Sequence, residues 1–174
     1  MFDFLFNPRG RISRKGMWLG FFLPYFLISV GLGALGEAAP VFGVLSTVVG
    51  IFYLWPSTIA VPMKRLHDHG KSGRWLLGYY AVTLVLTVFV GIEFGQVLRD
   101  AGVSAEGVMT PTEQRALFVE HYPQVLRTGL GLLSTVAIIA LVLFFFVYLY
   151  VVPGERADNR YGRDPQADGR GLAD

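Results

Sequence analysis

The sequence predicts an all-α integral membrane protein. It has four transmembrane helices, both termini on the cytoplasmic side, and a short amphipathic helix on the outer side between helices three and four. Three observations predict this. Hydrophobic residues make up 53% of the 174 positions and charged residues 16%, where a soluble domain carries about 25% charge; mean hydropathy is +0.48. The apolar residues fall in four blocks, each near the roughly 20 residues a helix needs to cross about 30 Å of hydrocarbon. The basic residues gather at one end of those blocks. Residues 1–165 read as a single four-helix membrane domain, and 166–174 as a polar, disordered tail.

The spans run over about residues 17–35, 41–63, 75–97 and 129–152. Helices are the expected form because lipid cannot satisfy an open backbone. Pro24, Pro56 and Pro62 are compatible with that and mark kinks. A cleaved signal peptide is the rival for the first block, with small residues around Gly36-Glu37-Ala38. Its apolar run exceeds the usual h-region of about 7–15 residues, so it is read as a span.

Orientation follows from Lys and Arg. Arg9, Arg11, Arg14 and Lys15 precede the first span. Lys64, Arg65, Lys71 and Arg74 lie between the second and third, and Arg156, Arg160, Arg163 and Arg170 follow the fourth. Those three groups hold twelve of the fifteen basic residues. The loop around Glu37 has none. The loop from Leu98 to Thr128 sets Arg99, Arg115 and Arg127 against Asp100, Glu106, Glu113 and Glu120. The basic side is expected to be cytoplasmic. Trp18, Trp75, Tyr148 and Tyr150 lie at span ends, as in an interfacial aromatic belt. In the outer loop, Thr110-Pro111-Thr112-Glu113 reads as a cap, a first-turn proline and a capping-box glutamate. Leu117, Phe118, His121, Tyr122, Val125 and Leu126 follow at helical spacing, and Pro123 is expected to end or kink that helix.

The stretch from Lys64 to Trp75, KRLHDHGKSGRW, invites three chemistries. Gly70-Lys71-Ser72 resembles the end of a phosphate loop. The loop's first glycine would fall at Arg65, and a membrane helix precedes it rather than a strand, so an NTPase is rejected. His67-Asp68-His69 lacks the spacing of three or four that puts two ligands on one ion. His121 lies across the membrane, further ligands would have to be Asp158 or Asp164, and no metal is expected. As a turn, the stretch has Gly70 and Gly73 for left-handed backbone, cations that can snorkel to headgroups, and His67 and Asp68 for local hydrogen bonds. The absence of cysteine excludes disulfides and thiolate sites. Glu93 is the one acid well inside a span, flanked by Gly91 and Gly95 at small-xxx-small spacing.

Three segments together resemble one family: GRISRKGMW (Gly10 to Trp18), RLHDHGKSGRW (Arg65 to Trp75) and PGERADNRYGRDP (Pro153 to Pro165). The pattern is similar to that of the domain-of-unknown-function 805 family, the YhaH-like bacterial inner-membrane proteins. Arg74, Met17 and Ala157 depart from the family's usual tryptophan, aromatic and glycine, and the loop from Leu98 to Thr128 is long for it. The resemblance implies the bacterial inner membrane and this architecture, and no established activity.

The leading expectation is a non-enzymatic membrane protein with a compact polar cluster on its cytoplasmic face. Its members are Arg11, Arg14, Trp18, Arg65, His67, Asp68, Gly70, Lys71, Ser72, Gly73, Trp75, Asn159, Tyr161, Gly162 and Pro165. Arg11, Arg14, Arg65, Lys71, Asn159 and Arg160 could surround an anion, with Asp68 paired to an arginine. The cluster would bind anionic lipid headgroups or dock a partner. The partners expected are membrane lipids and either a homo-oligomer or another membrane protein, with no nucleic acid and no cofactor. The alternatives are a purely structural motif cluster, a small oligomeric transporter or channel resting on Glu93, and an enzyme on phospholipids using His67.

Overall fold

The computed structural model describes residues 2–36, 39–103 and 110–167. Glu37, Ala38, Glu106, Arg170 and the tail from residue 168, which enter the charge, cleavage and disorder readings above, lie outside the described residues. The described residues form helices and loops without a strand. They are α1 (Phe2–Phe6), α2 (Arg14–Gly36), α3 (Pro40–Asp68), α4 (Arg74–Asp100), α5 (Pro111–Val125) and α6 (Gly129–Val151). Of these, α2, α3, α4 and α6 are long and apolar enough to cross a membrane.

Two features differ most from expectation, beyond shifts of up to three residues at the other span ends. The short helix α1 has no counterpart in the sequence reading. The second long helix does not stop at Met63: it continues through Lys64, Arg65, Leu66, His67 and Asp68. Lys64, Arg65, His67 and Asp68 stay helical because their side chains find partners inside the protein, so the chain need not turn to hydrate them. The helix ends at a Schellman motif. Lys71 N donates to Leu66 O at 2.8 Å and Gly70 N to His67 O at 3.0 Å, with Gly70 at φ +66. Gly73 has no positive φ, so its expected left-handed role does not apply. A Cβ there would meet the movable end of Met63 at 2.8 Å.

Each of α2, α3 and α6 contains one wider π turn, at Trp18–Phe22, Pro56–Ala60 and Val147–Val151. In α3 the cause is at hand: Pro56 has no N–H, and the Ser57 and Thr58 hydroxyls donate to the Leu54 carbonyl at 3.1 and 2.6 Å.

The chain forms two compact units. The first, Met1–Leu76 with Phe146–Asp174, is built on Leu5, Ile12, Met17, Phe21, Tyr53 and Val61. The second is Leu77–Phe145. There α5 begins with the expected capping box, Thr110 and Glu113 exchanging side-chain and backbone bonds. The backbone and hydroxyl of Thr110 both donate to the Glu113 carboxylate and hold its pKa below the usual range. Leu117, His121 and Val125 form the less exposed face of α5. Tyr122 bonds Thr135 of α6 at 2.9 Å, and Phe118 meets Phe94 of α4 at 5.7 Å. Pro123 does not end α5; it sits in the last turn, where the missing N–H removes a single backbone bond.

Candidate functional site

The N-terminal segment, the end of α3 and the chain after α6 meet in the first unit. The organising residue is Arg65, whose side chain is fully buried. A guanidinium has five N–H donors in a rigid fork, and here each has an acceptor. Nε donates to Leu149 O at 2.6 Å. Nη1 donates to Ile12 O at 3.1 Å and to the Asp68 carboxylate. Nη2 donates to Val152 O at 2.9 Å and to His69 Nε2 at 3.3 Å.

The acceptors explain the arrangement. A helix leaves its last carbonyls without backbone donors, and the π turn closes with Val152 N on Val147 O. The next donor along the chain would be residue 153, a proline without an N–H. The carbonyls from Tyr148 to Val152 are taken by side chains from the first two motifs. His69 takes Tyr148, and Arg65 takes Leu149 and Val152. Trp18 Nε1 takes Tyr150 at 3.2 Å and Arg14 Nη1 takes Val151 at 2.7 Å. The cations also oppose the negative end of the α6 dipole. The same device ends α1, where Lys64 Nζ donates to Phe4 O at 2.8 Å and Trp55 Nε1 to Phe6 O at 3.0 Å.

Asp68 joins all three motifs. One carboxylate oxygen takes Arg65, and the other takes Arg11 Nε at 3.1 Å. Arg11 continues to the Ala157 and Glu155 carbonyls at 2.6 and 2.5 Å. Glu155 N donates to Asp68 O at 2.8 Å. A Cβ on Gly154 would overlap the Asp68 carboxylate, so only glycine fits there. Asn159 Nδ2 donates to His67 O at 3.0 Å and to Glu155 Oε2 at 3.1 Å. Its Oδ1 accepts Tyr161 N at 2.9 Å, and its backbone pairs with Gly162, whose φ is +142. Tyr161 stacks on the His67 ring, centroids 3.9 Å apart and 8° from parallel. Arg160 lies 4.8 Å over Tyr161.

The two histidines have separate partners. His67 Nδ1 bonds the Gly10 carbonyl at 3.1 Å, which requires a proton on that nitrogen. His69 Nε2 accepts from Arg65, so its own proton sits on Nδ1 and serves Tyr148. Burial foremost, then the Arg65 charge, pushes the His69 pKa down to about 4.

Of the predicted residues, Arg11, Arg14, Trp18, Arg65, His67, Asp68, Gly70, Asn159, Tyr161 and Gly162 come together through the bonds above; Gly70 accepts Arg160 Nη2 on its carbonyl at 3.3 Å. Lys71 and Trp75 are exposed, and Ser72, Gly73 and Pro165 are half-buried without a side-chain bond to the cluster among the described residues. Glu93 belongs to the second unit. Sequence reasoning missed His69, Gly154 and Glu155 as members. Gly154 beside Pro153 was the available signal, a glycine with no turn of its own to serve.

A cleft of about 530 Å³ opens beside this network, lined by Ser13, Arg14, Lys15, Trp18, Tyr150 and Val151. Gln166 completes it, and among the described residues no lining residue is acidic.

Residues 5–163 match the family described as Protein of unknown function (DUF805). The chain is 35% identical over 77 residues to the uncharacterized protein YiiR of Escherichia coli strain K12, and equally to YiiR of Escherichia coli O157:H7. The matched stretch is 42% of this chain and 49% of each relative, so the chain spans about half the length of the curated relatives it matches. No solved structure matches it.

Proposed function

This chain belongs to the DUF805 family of proteins of unknown function, and on that premise we propose a non-enzymatic, multi-pass bacterial inner-membrane protein. Its motif cluster is a structural lock, and the basic rim around the lock holds anionic lipid headgroups. The saturation of Arg65 carries this reading. With five acceptors on one buried guanidinium, Arg65 faces its own partners and leaves no donor for a ligand. Charges available to a lipid lie outside that core. Lys15, Lys71, Arg74 and Arg156 are exposed, with no side-chain ion pair or hydrogen bond among the described residues. Basic residues beside an anionic membrane contribute about 1 kcal/mol each.

Meeting of the three segments supports placing both termini and the α3–α4 turn on one side of the membrane. The excess of cations there supports the cytoplasmic side.

The test is lipid enrichment in nanodiscs of mixed phosphatidylglycerol and phosphatidylcholine. Replacing Lys15, Lys71, Arg74 and Arg156 together by glutamine is expected to abolish phosphatidylglycerol enrichment at low salt while the fold stays intact. Unchanged enrichment would remove the lipid reading and leave the lock.

A further inference from the structure

We infer that the cleft between the start of α2 and the end of α6 is a discrete site for one phosphate-bearing, anionic phospholipid headgroup. This rests on the lipid reading above and narrows it from a diffuse rim to one place. Arg14 and Lys15 both line the cleft, and among the described residues no carboxylate does, so its described lining carries two positive charges and no negative one. Arg14 is held by its bond to Val151 O, which fixes a fork suited to phosphate oxygens. Lys15 has no such tether among the described residues and supplies a movable point charge. Trp18 is fixed through Tyr150 O, and the residue is 42% exposed. Trp18 and Tyr150 thus offer apolar surface beside the cations, as a molecule with a charged phosphate and a greasy body requires. The volume falls within the range of small-molecule sites. Two cations also select against headgroups that carry their own ammonium. A polyol phosphate, with the Gln166 amide for its hydroxyls, fits better than a choline phosphate.

The experiment uses the full chain in phosphatidylcholine nanodiscs titrated with phosphatidylglycerol, counting retained molecules by native mass spectrometry. One tightly held phosphatidylglycerol is expected. Lys15→Gln should weaken it about fivefold, the effect of one cation near the membrane surface, and Lys71→Gln, the same charge change outside the cleft, less than twofold. Because Arg14 also caps α6, its removal could unfold the unit; Gln166→Asp instead places a negative charge in the cleft without touching the lock, and should weaken binding as well. Equal weakening by Lys15→Gln and Lys71→Gln would overturn the site and leave the diffuse rim standing. No weakening by either would overturn both. Displacement by inorganic phosphate or glycerol phosphate as effectively as by the lipid would replace the lipid with a free phosphate compound.

Discussion

Arg65→Lys isolates what the guanidinium does, because it keeps the charge and removes the fork. Lysine has three donors on one nitrogen, while Arg65 serves five acceptors on three nitrogens. At least two acceptors must lose their partner. A single ammonium will keep the carboxylate, so the two come from the Leu149, Val152 and Ile12 carbonyls and His69 Nε2. A buried acceptor left unmade costs about 1–3 kcal/mol, so the substitution should cost about 2–4 kcal/mol after some relaxation. Arg65→Met should cost more, although Asp68 retains Arg11 and is not left unpaired. The assay is reversible unfolding in mixed detergent micelles followed by tryptophan fluorescence, with thermal stability as a second readout. If Arg65→Lys loses less than about 1 kcal/mol, a single hydrogen bond's net worth, the α6 carbonyls do not need their caps and the lock reading is wrong.

Two further outcomes follow from the same geometry. Gly154→Ala drives a methyl group into the Asp68 carboxylate and should cost about 1–3 kcal/mol of stability, whereas Gly73→Ala, which meets only the flexible end of Met63, should stay within about 1 kcal/mol; paired unfolding curves compare them. His69 has a folded pKa near 4, below its value of 6.5 in the unfolded chain. The unfolded state therefore takes up the proton first, and stability present above pH 6.5 is lost as pH falls toward 4, by at most about 3 kcal/mol. His69→Gln, which can still accept from Arg65, should flatten that part of the stability–pH curve, and an unchanged slope would show that His69 is not its source.

The spans were legible because lipid tolerates few departures from an apolar helix, and the capping box at Thr110 because its chemistry is local. The end of α3 was not. Lys64 through Asp68 look like a hydrated turn when read by residue type, and become helical only because their partners lie more than fifty positions away. Membership was legible for Arg11, Asp68 and Asn159 through the family pattern. Their roles were not, because most acceptors are backbone carbonyls, which look alike at every position. No residue type announces that Leu149 to Val152 lack donors; only Pro153 hints at it. The π turns left no mark in the apolar pattern, apart from Pro56.

That the last turn of α6 is finished by Arg14, Trp18, Arg65 and His69 has a consequence for biosynthesis. These donors leave the ribosome about 80 to 140 residues before the carbonyls they serve. Until α6 emerges, Arg65 lacks two of its five acceptors, Leu149 O and Val152 O, and those two donors must stay wet or be held by something else. Insertion of the first three long helices therefore yields an unfinished protein in which Arg65 keeps Asp68 but has two donors without acceptors. A chain cut before Leu149 would keep that defect permanently, with two donors of a guanidinium left unmade.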